Sequence, residues 1–432
     1  MKLVVVGGGG FRVPLVYGAL LRRALPVDEL VLYDVEEPRL RRVAAVLDGL
    51  AAERGERLPY RITTARDDAL EGADFVFAAI RPGGVAGRVV DEAVPLEHGV
   101  LGQETTGPGG ICFALRTIPA MVELAEAVAE RAPRGWLVNF TNPAGMVTEA
   151  LRPVLGDRVV GICDTPSGLC RRVARALGRR REELWFDYYG LNHLGWLGAV
   201  RDGRSDLLPG LLADDAALAS FEEGRLFGAD WLRTLGAIPN EYLYYFYFTA
   251  EAVAGLRAGP RGAGMERAQA DFYAGNGDAL AAWRAVRAER ERTYMAEAGV
   301  ERDDDEDGGG YEGEAMAVVE AIARGTRAVL ILNTANRGAL RCLGDDSVVE
   351  VSCVVDATGA HPVAVGDVPG PQAALIGAVK AVEGATIAAA RSGSTRLAVE
   401  ALALHPLVPS VATARAIFAE YRARMPALER FA

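Results

Sequence analysis

The sequence predicts an α/β protein with a Rossmann-like, doubly wound parallel sheet followed by a C-terminal α+β domain. First, six short apolar runs recur in the first 165 residues, at 3–6, 30–33, 61–63, 75–78, 136–138 and 159–162. Second, amphipathic stretches such as 14–23 and 118–131 separate most of these runs, which is typical of parallel strands with helices on both faces. Third, four consecutive glycines directly follow the first run.

The strand–helix alternation stops near residue 165. We therefore predict one domain over residues 1–165 and a second over 166–432. The second is expected to contain a helix at 167–177, β-rich segments at 184–200 and 347–355, and an Ala-rich helical end at 372–424. Residues 301–310, with the sequence ERDDDEDGGG, are expected to form a solvated polar loop, because blocks of acidic residues with glycine rarely pack.

Composition excludes several classes of protein. The chain has 432 residues and a formal charge of −11, so its surface should repel nucleic acid. No uninterrupted apolar run reaches the roughly 18 residues of a membrane span, so a membrane is not expected as a partner. The five cysteines are odd in number and widely spaced, which favours a reducing compartment, with the cytoplasm as the default location.

The glycines after the first predicted strand indicate a dinucleotide site. Glycines there let the backbone turn tightly and approach a pyrophosphate at the start of a helix, which Pro14 can begin. Asp34 ends the second predicted strand, where a carboxylate can bind the adenosine ribose and favours NAD over NADP. The third glycine of the usual fingerprint falls on Arg12 or Val13, and a tight turn without a ligand is the alternative. The expected cofactor-binding residues are Gly7, Gly8, Gly9, Gly10, Phe11, Arg12 and Asp34.

Polar residues follow three of the predicted strands at the edge where a nicotinamide would lie. They occur in the segments 139–143, 163–166 and 192–193. Cys163 and His193 could supply a thiolate and an imidazole to a divalent ion and leave positions open for substrate. On spacing alone, a buried thiol and a hydrogen-bonded core histidine are the simpler interpretation. The tyrosines of residues 240–248, NEYLYYFYF, would by default form an aromatic core or a subunit contact.

Eight segments, taken in order along almost the whole chain, resemble glycoside hydrolase family 4, and within it the 6-phospho-β-glucosidase group. The longest covers 79–119 and contains the block GQETTGPGG, which is more specific than any glycine loop. The others are GGGG (7–10), NFTNPAG (139–145), GICDTP (161–166), GLNHLGW (190–196), IPNEYLYYF (238–246), NTANRGAL (333–340) and ALALHPLVPS (401–410). The resemblance implies a lactate/malate-dehydrogenase-like fold, NAD, a divalent metal that is usually manganese, and a homodimer or homotetramer.

The resemblance also assigns roles to individual residues. Cys163 and His193 match the metal ligands of the family, Asp164 the position of its proposed acid, and Tyr242 that of its proposed base. The matching substrate-contacting positions are Arg88, Asn142 and Arg261. Arg88 is expected to recognise the 6-phosphate, since a guanidinium can bind phosphate through two hydrogen bonds. Without the resemblance, the two arginines would be interpreted as solvated side chains and Asn142 as a turn residue before Pro143.

The sequence departs from the family pattern at two positions. Gly10 stands where the family often has a serine that we associate with the substrate phosphate. Asp164 stands where we associate the β-type group with Asn and the α-type group with Asp. The need for the phosphate and the preferred anomer therefore stay open, and a 6-phospho-α-glucosidase or a non-phosphorylated glycosidase are alternatives.

The implied chemistry is hydrolysis by oxidation, elimination, addition and reduction, an exception among glycosidases, which mostly use two carboxylates. A hydride passes from carbon 3 of the sugar to NAD, and Tyr242 then removes the acidified proton from carbon 2. The metal at Cys163 and His193 stabilises the enolate, and Asp164 is placed to protonate the leaving aglycone. The rival interpretations are a plain NAD-dependent dehydrogenase, for which His193 is the one plausible catalytic histidine, and a non-enzymatic NAD sensor.

Overall fold

Nine strands of the described chain form one mixed sheet in the computed structural model of the protein. The structure describes residues 1–23, 25–258, 261–292 and 310–432, without the side chains of 261–263, 291 and 292. The predicted polar loop at 301–310 lies outside the described residues, apart from Gly310.

The strands, numbered along the chain, are β1 Lys2–Val6, β2 Glu29–Tyr33, β3 Tyr60–Thr63, β4 Phe75–Ala78, β5 Trp136–Asn139, β6 Val159–Gly161, β7 Trp185–Leu191, β8 Leu194–Asp202, β9 Ser205–Asp206, β10 Ile238–Pro239, β11 Ala328–Ala335, β12 Val348–Asp356 and β13 Gly359–Pro362. The α-helices are α1 Val13–Arg23, α2 Glu37–Arg54, α3 Arg66–Leu70, α4 Gly84–Glu97, α5 Gly107–Arg131, α6 Ala144–Leu155, α7 Thr165–Ala176, α8 Leu208–Ala213, α9 Asp215–Ala219, α10 Glu222–Phe227, α11 Ala229–Leu235, α12 Tyr244–Tyr247, α13 Thr249–Ala258, α14 Arg261–Ala274, α15 Ala279–Arg292, α16 Tyr311–Arg324, α17 Gly370–Ser392, α18 Thr395–Leu404 and α19 Val411–Arg424.

The large sheet has the order β13-β12-β11-β6-β5-β4-β1-β2-β3. Strands β1 to β6 run parallel, and β1 lies between β2 and β4, so that Leu3 pairs with Leu30 on one side and Phe75 on the other. The chain order reverses at β1 and β4, and open sheets of this kind bind ligands beyond the strand ends at such a point. The predicted doubly wound sheet is confirmed, and its six predicted strands match to within about one residue at each end.

Strands β11, β12 and β13 extend the same sheet antiparallel, starting at the pairing of Asn333 with Gly161. The sequence analysis did not predict β11 and placed β12 only within a second domain. The division at 165/166 stays a prediction, but the hydrogen-bonded sheet continues across it. The consequence for the site is that residues near 333 and 350 lie beside the end of β6.

A smaller antiparallel sheet contains β10, β8 and β7, with β9 paired to β8. The turn between β7 and β8 contains Asn192 and His193. His193 adopts a left-handed backbone with φ of 62°, which a non-glycine residue rarely adopts. His193 therefore lies in the turn at the end of the β7–β8 hairpin.

Helix α17 is long and apolar enough to cross a membrane by length and composition, with a mean hydropathy of 1.5 over its most apolar window. It packs against α5, α18 and β7. Its buried Lys380 forms ion pairs with Glu149 at 2.8 Å and with Glu383. One face of the helix is therefore buried and contains charged side chains, and a single such helix is weak evidence for a membrane span.

Candidate active site

The glycine loop between β1 and α1 has the backbone geometry that a dinucleotide loop needs. Gly7 has φ of 87°, and a Cβ there would lie 2.5 Å from the carbonyl oxygen of Ala79. A Cβ at Gly9 would lie 3.0 Å from a carboxylate oxygen of Asp34. Side chains at these two positions would therefore clash, and the loop can form only with glycine.

Asp34 lies directly after β2, as predicted, and its carboxylate accepts a hydrogen bond of 3.0 Å from the Gly9 amide. At Gly10 a Cβ would lie 2.8 Å from the Gly7 carbonyl oxygen, which already accepts a hydrogen bond from the Gly10 amide. A serine at this position would therefore require the loop to shift. The structure thus gives a local reason for glycine at position 10.

Cys163 follows β6, with 5% of its surface exposed. Its Sγ lies 3.4 Å from Oγ1 of Thr165, which accepts a hydrogen bond of 2.7 Å from the Asn240 side chain. Burial raises the pKa of the Cys163 thiol, and the negative charges of Glu350 and Asp164 raise it further. The thiolate form would therefore need a cation beside it.

His193 is 6% exposed, and its Nδ1 is buried without a hydrogen-bond partner among the described residues. Burial lowers the pKa of His193 to about 4, against the opposing effect of Asp164 and Glu104, so the imidazole is neutral. Asp164, next to Cys163 in the chain, is thus one of the charges that act on His193. A neutral imidazole with an unpartnered nitrogen is what a metal ligand requires.

Within the described part of the chain, no group of three or more His, Cys, Asp or Glu side chains could hold a metal ion. Cys163 and His193 therefore fit a divalent ion only as two protein ligands, with the other positions left for water or substrate oxygens. Sequence analysis predicted this pair.

Tyr242 lies in a 3-10 turn at Glu241–Leu243, and its amide donates to the Asn240 side chain at 3.0 Å. Its ring stacks on the His193 ring with centroids 3.7 Å apart and an interplanar angle of 1°. Tyr244 and Tyr245, by contrast, are 7% and 2% exposed and belong to the hydrophobic core. Of these three tyrosines, the structure therefore places Tyr242 against the predicted metal ligand.

Asp164 and Asn142 also lie at the predicted edge of the sheet. Asp164 stands at the amino end of α7, but its side chain makes no capping hydrogen bond. Asn142 precedes α6, and its buried Oδ1 has no hydrogen-bond partner among the residues described. The neighbouring Ala144 amide donates to the Asn192 side chain at 3.1 Å, which joins this turn to the turn of His193. Unpartnered buried oxygens point to a ligand.

Arg88, on α4, is 5% exposed, but its guanidinium is already ion-paired. It contacts Glu92 at 2.7 Å and Glu104 at 2.8 Å. Burial raises the pKa of Glu104, but the charges of Arg81 and Arg88 outweigh it and hold that pKa at about 2. Two carboxylates already beside one guanidinium do not favour phosphate binding there. The role of Arg88 in recognising the phosphate stays a prediction. The side chain of Arg261 lies outside the described residues.

Sequence analysis missed Glu350, a fully buried carboxylate on β12. Its Oε1 accepts hydrogen bonds from the side-chain amides of Asn192 at 3.1 Å and Asn333 at 2.8 Å, and its Oε2 lies 3.3 Å from the Tyr188 hydroxyl. Burial raises the pKa of Glu350 to about 7, although these hydrogen bonds lower it. The signal that could have revealed it is one charged residue inside the apolar run 348–355.

Comparison with known proteins gives a consistent result. The profile of the family 4 glycosyl hydrolases matches residues 2–179, and that of the family 4 glycosyl hydrolase C-terminal domain matches residues 188–408. A probable 6-phospho-β-glucosidase of Bacillus subtilis is 34% identical over 97% of this chain and 95% of its own. A 6-phospho-α-glucosidase of Lacticaseibacillus paracasei is 32% identical over 97% of this chain and 96% of its own.

Solved structures extend the similarity to the fold. The 6-phospho-β-glucosidase of Thermotoga maritima, solved with manganese, NAD+ and glucose-6-phosphate, is 28% identical with a TM-score of 0.81, over 98% of both chains. A 6-phospho-α-glucosidase from gut microorganisms, solved with NAD and Mn2+, is 28% identical with a TM-score of 0.80, over 98% of this chain and 97% of the other. Lactate dehydrogenase of Eimeria maxima, at 13% identity, a TM-score of 0.53 and coverage of 91% and 98%, shares the fold alone.

Proposed function

Because the chain belongs to family 4 of the glycosyl hydrolases, we propose that it hydrolyses 6-phosphoglucosides with NAD and a divalent metal ion, and that it prefers the β anomer. One observation carries the proposal: the dinucleotide loop follows β1 and Cys163 follows β6, at the carboxyl ends of strands in the same parallel sheet. The Asn240 side chain connects Thr165, which lies beside Cys163, to Tyr242, whose ring stacks on His193. Relatives of both anomeric types match over almost the whole chain, so the test must include both anomers.

The residues suit both cofactors. Gly7 to Arg12 and Asp34 would hold NAD, which when bound supplies an oxidant that takes a hydride from the sugar and returns it. Cys163 and His193 would hold the metal ion, manganese or another divalent cation, which when bound acts as a Lewis acid. The buried, unpartnered Nδ1 of His193 and the buried thiol fit that donor set.

Side chains of the protein would remove and donate the protons of the reaction. Tyr242, whose ring is fixed parallel to that of His193, is placed to take the proton from carbon 2 of the sugar. Asp164, which adjoins Cys163 in the chain, would give a proton to the leaving aglycone. Asn142 would accept a hydrogen bond from a sugar hydroxyl through its unpartnered Oδ1.

A panel of aryl glycosides tests the proposal. We would assay α- and β-glucosides and galactosides, each with and without the 6-phosphate, using enzyme supplied with NAD and Mn2+, and again with chelator. The expected result is metal-dependent release of the aglycone from the phosphorylated β-glucoside, without accumulation of NADH. Steady accumulation of NADH would instead identify a dehydrogenase, and turnover of the α substrate alone would correct the anomeric assignment.

A further inference from the structure

Three carbonyl groups of the glycine loop each accept a hydrogen bond from an aromatic side chain on a different helix outside the loop. All three bonds measure 2.8 Å. They run from the Tyr273 hydroxyl to Gly9, from the Trp283 indole N–H to Phe11, and from the Tyr311 hydroxyl to Arg12. The donors lie on α14, α15 and α16, and we name Tyr273, Trp283 and Tyr311 the aromatic clasp.

The aromatic clasp is packed as well as hydrogen-bonded. Trp283 and Tyr311 are 4% and 2% exposed. The Phe11 side chain inserts between Phe272 and Trp283, with ring centroids 5.5 Å and 6.1 Å away, in a separate hydrophobic cluster. The Tyr311 ring stacks on Phe140, 4.1 Å away, in the turn that follows β5. The clasp therefore connects the loop to α14, α15 and α16 and, through Tyr311, to the turn after β5.

Tyr273 is also joined to the region of the expected ribose site. Its oxygen accepts a hydrogen bond of 3.1 Å from Arg39, whose guanidinium lies 4.2 Å from the centre of the tyrosine ring. Both Arg39 and Asp34 flank Gly9, since a Cβ built on Gly9 would contact each of them. One hydroxyl thus connects the loop, the helix α2 that follows Asp34, and α14.

Anchoring a carbonyl also fixes the direction of an amide. The peptide unit is planar, so in a trans peptide the N–H of the next residue points away from the carbonyl oxygen. The bond from Trp283 to the Phe11 carbonyl therefore orients the Arg12 amide at the amino end of α1. Amides at the start of a helix are the groups that bind a pyrophosphate.

We propose that Tyr273, Trp283 and Tyr311 are positioning residues for the dinucleotide: they raise NAD affinity by fixing the loop backbone. The inference rests on the proposed function, because it requires the loop to bind NAD. Helices α14 to α16 then act on the cofactor through the loop carbonyls. The contribution of each residue is a hydrogen bond that a phenylalanine in its place would lack.

The test is the dissociation constant for NAD, measured by titration of the full-length, metal-free protein. Tyr273→Phe, Tyr311→Phe and Trp283→Phe should each raise the dissociation constant roughly 3–10-fold, the range for one neutral hydrogen bond. Tyr60→Phe is the matched control, since its hydroxyl bonds the Ala44 carbonyl at 3.0 Å in the same domain but away from the loop. Its NAD affinity should stay that of the wild type, even if its melting temperature falls.

A fall in melting temperature with wild-type NAD affinity in the clasp variants would overturn the inference, because the residues would then serve stability alone. If Trp283→Phe does not fold, the two tyrosine variants, which keep their rings, decide the question. Absence of NAD binding by the wild-type protein would overturn the proposed function and this inference with it. Unchanged affinity in variants of a wild type that binds NAD overturns the inference alone.

Discussion

Replacing Glu350 with glutamine should stabilise the metal-free protein at pH 8 and leave it almost unchanged at pH 4. The geometry permits the replacement: an Oε1 atom would still accept from Asn192 and Asn333, and the new Nε2 would face the Tyr188 oxygen as a donor. Glutamine therefore keeps the hydrogen bonds from Asn192 and Asn333, reverses the direction of the bond with Tyr188, and removes the charge. The contrast between the two pH values isolates the cost of the buried negative charge.

The size of the effect follows from the pKa of Glu350, which burial raises from 4.5 to about 7. Between these values the folded protein binds more protons than the unfolded chain, so stability falls as the pH rises from about 4.5 through 7. A separation of about 2.5 between the two pKa values corresponds to roughly 3 kcal/mol, present in full above pH 7. Glu350→Gln should recover most of that free energy of unfolding at pH 8.

Urea unfolding at pH 4 and pH 8, with chelator present, would measure the difference. Glu429→Gln is the control for loss of a carboxylate, because Glu429 is exposed. A difference between wild type and Glu350→Gln that is the same at both pH values would refute the reasoning. Added Mn2+ should reduce the pH dependence of the wild type, since a cation near Cys163 would stabilise the Glu350 carboxylate.

Three further predictions concern the site. Cys163→Ser and His193→Ala should lose metal-dependent activity and keep NAD affinity; wild-type turnover by His193→Ala in chelator would contradict the metal assignment. Tyr242→Phe should lower kcat by roughly 10²–10⁴-fold with NAD affinity intact, whereas Tyr244→Phe, in the core, should not; equal losses would refute the assignment of the base. Arg88→Ala should lower the free energy of unfolding by at most roughly 3–5 kcal/mol, because Glu92 and Glu104 lose a buried counter-charge while Arg81 stays beside Glu104. If Arg88 recognises the 6-phosphate, the variant should also raise KM selectively for the phosphorylated glucoside; a similar rise for the phosphorylated and the free glucoside would refute that role.

The six parallel strands could be predicted because strands that are buried on both faces have continuous apolar sequences, which turns separate from one another. Strand β11 could not be predicted with the same rule, since a short apolar run after a helical stretch fits a buried helix as well as a strand. Its partner in the sheet, β6, lies more than 150 residues earlier in the chain, and that pairing cannot be predicted from sequence spacing. The division at 165/166 stays a prediction, and the large sheet contains strands from both sides of it.

The candidate site likewise contains residues that the sequence could predict and residues that it could not. The glycines, Asp34 and Cys163 follow strands in sequence, so the expected sheet edge brings them together. Glu350 and the partners of Arg88 come from pairings and helix packing that only the folded chain reveals. The roles of Cys163, His193 and Tyr242 came from the resemblance, because a thiol, a histidine and a tyrosine far apart in sequence are not a specific motif.

Deuterium incorporation tests the central claim most directly, that hydrolysis proceeds by removal of the proton on carbon 2 with NAD as a catalyst. The substrate would be hydrolysed in deuterated water with NAD and Mn2+, and the sugar product analysed by mass spectrometry and NMR. We expect deuterium at carbon 2, because the proton taken by Tyr242 exchanges with solvent before it returns, and no turnover after NAD is stripped. Product without deuterium at carbon 2, together with full activity in the absence of NAD, would contradict the account.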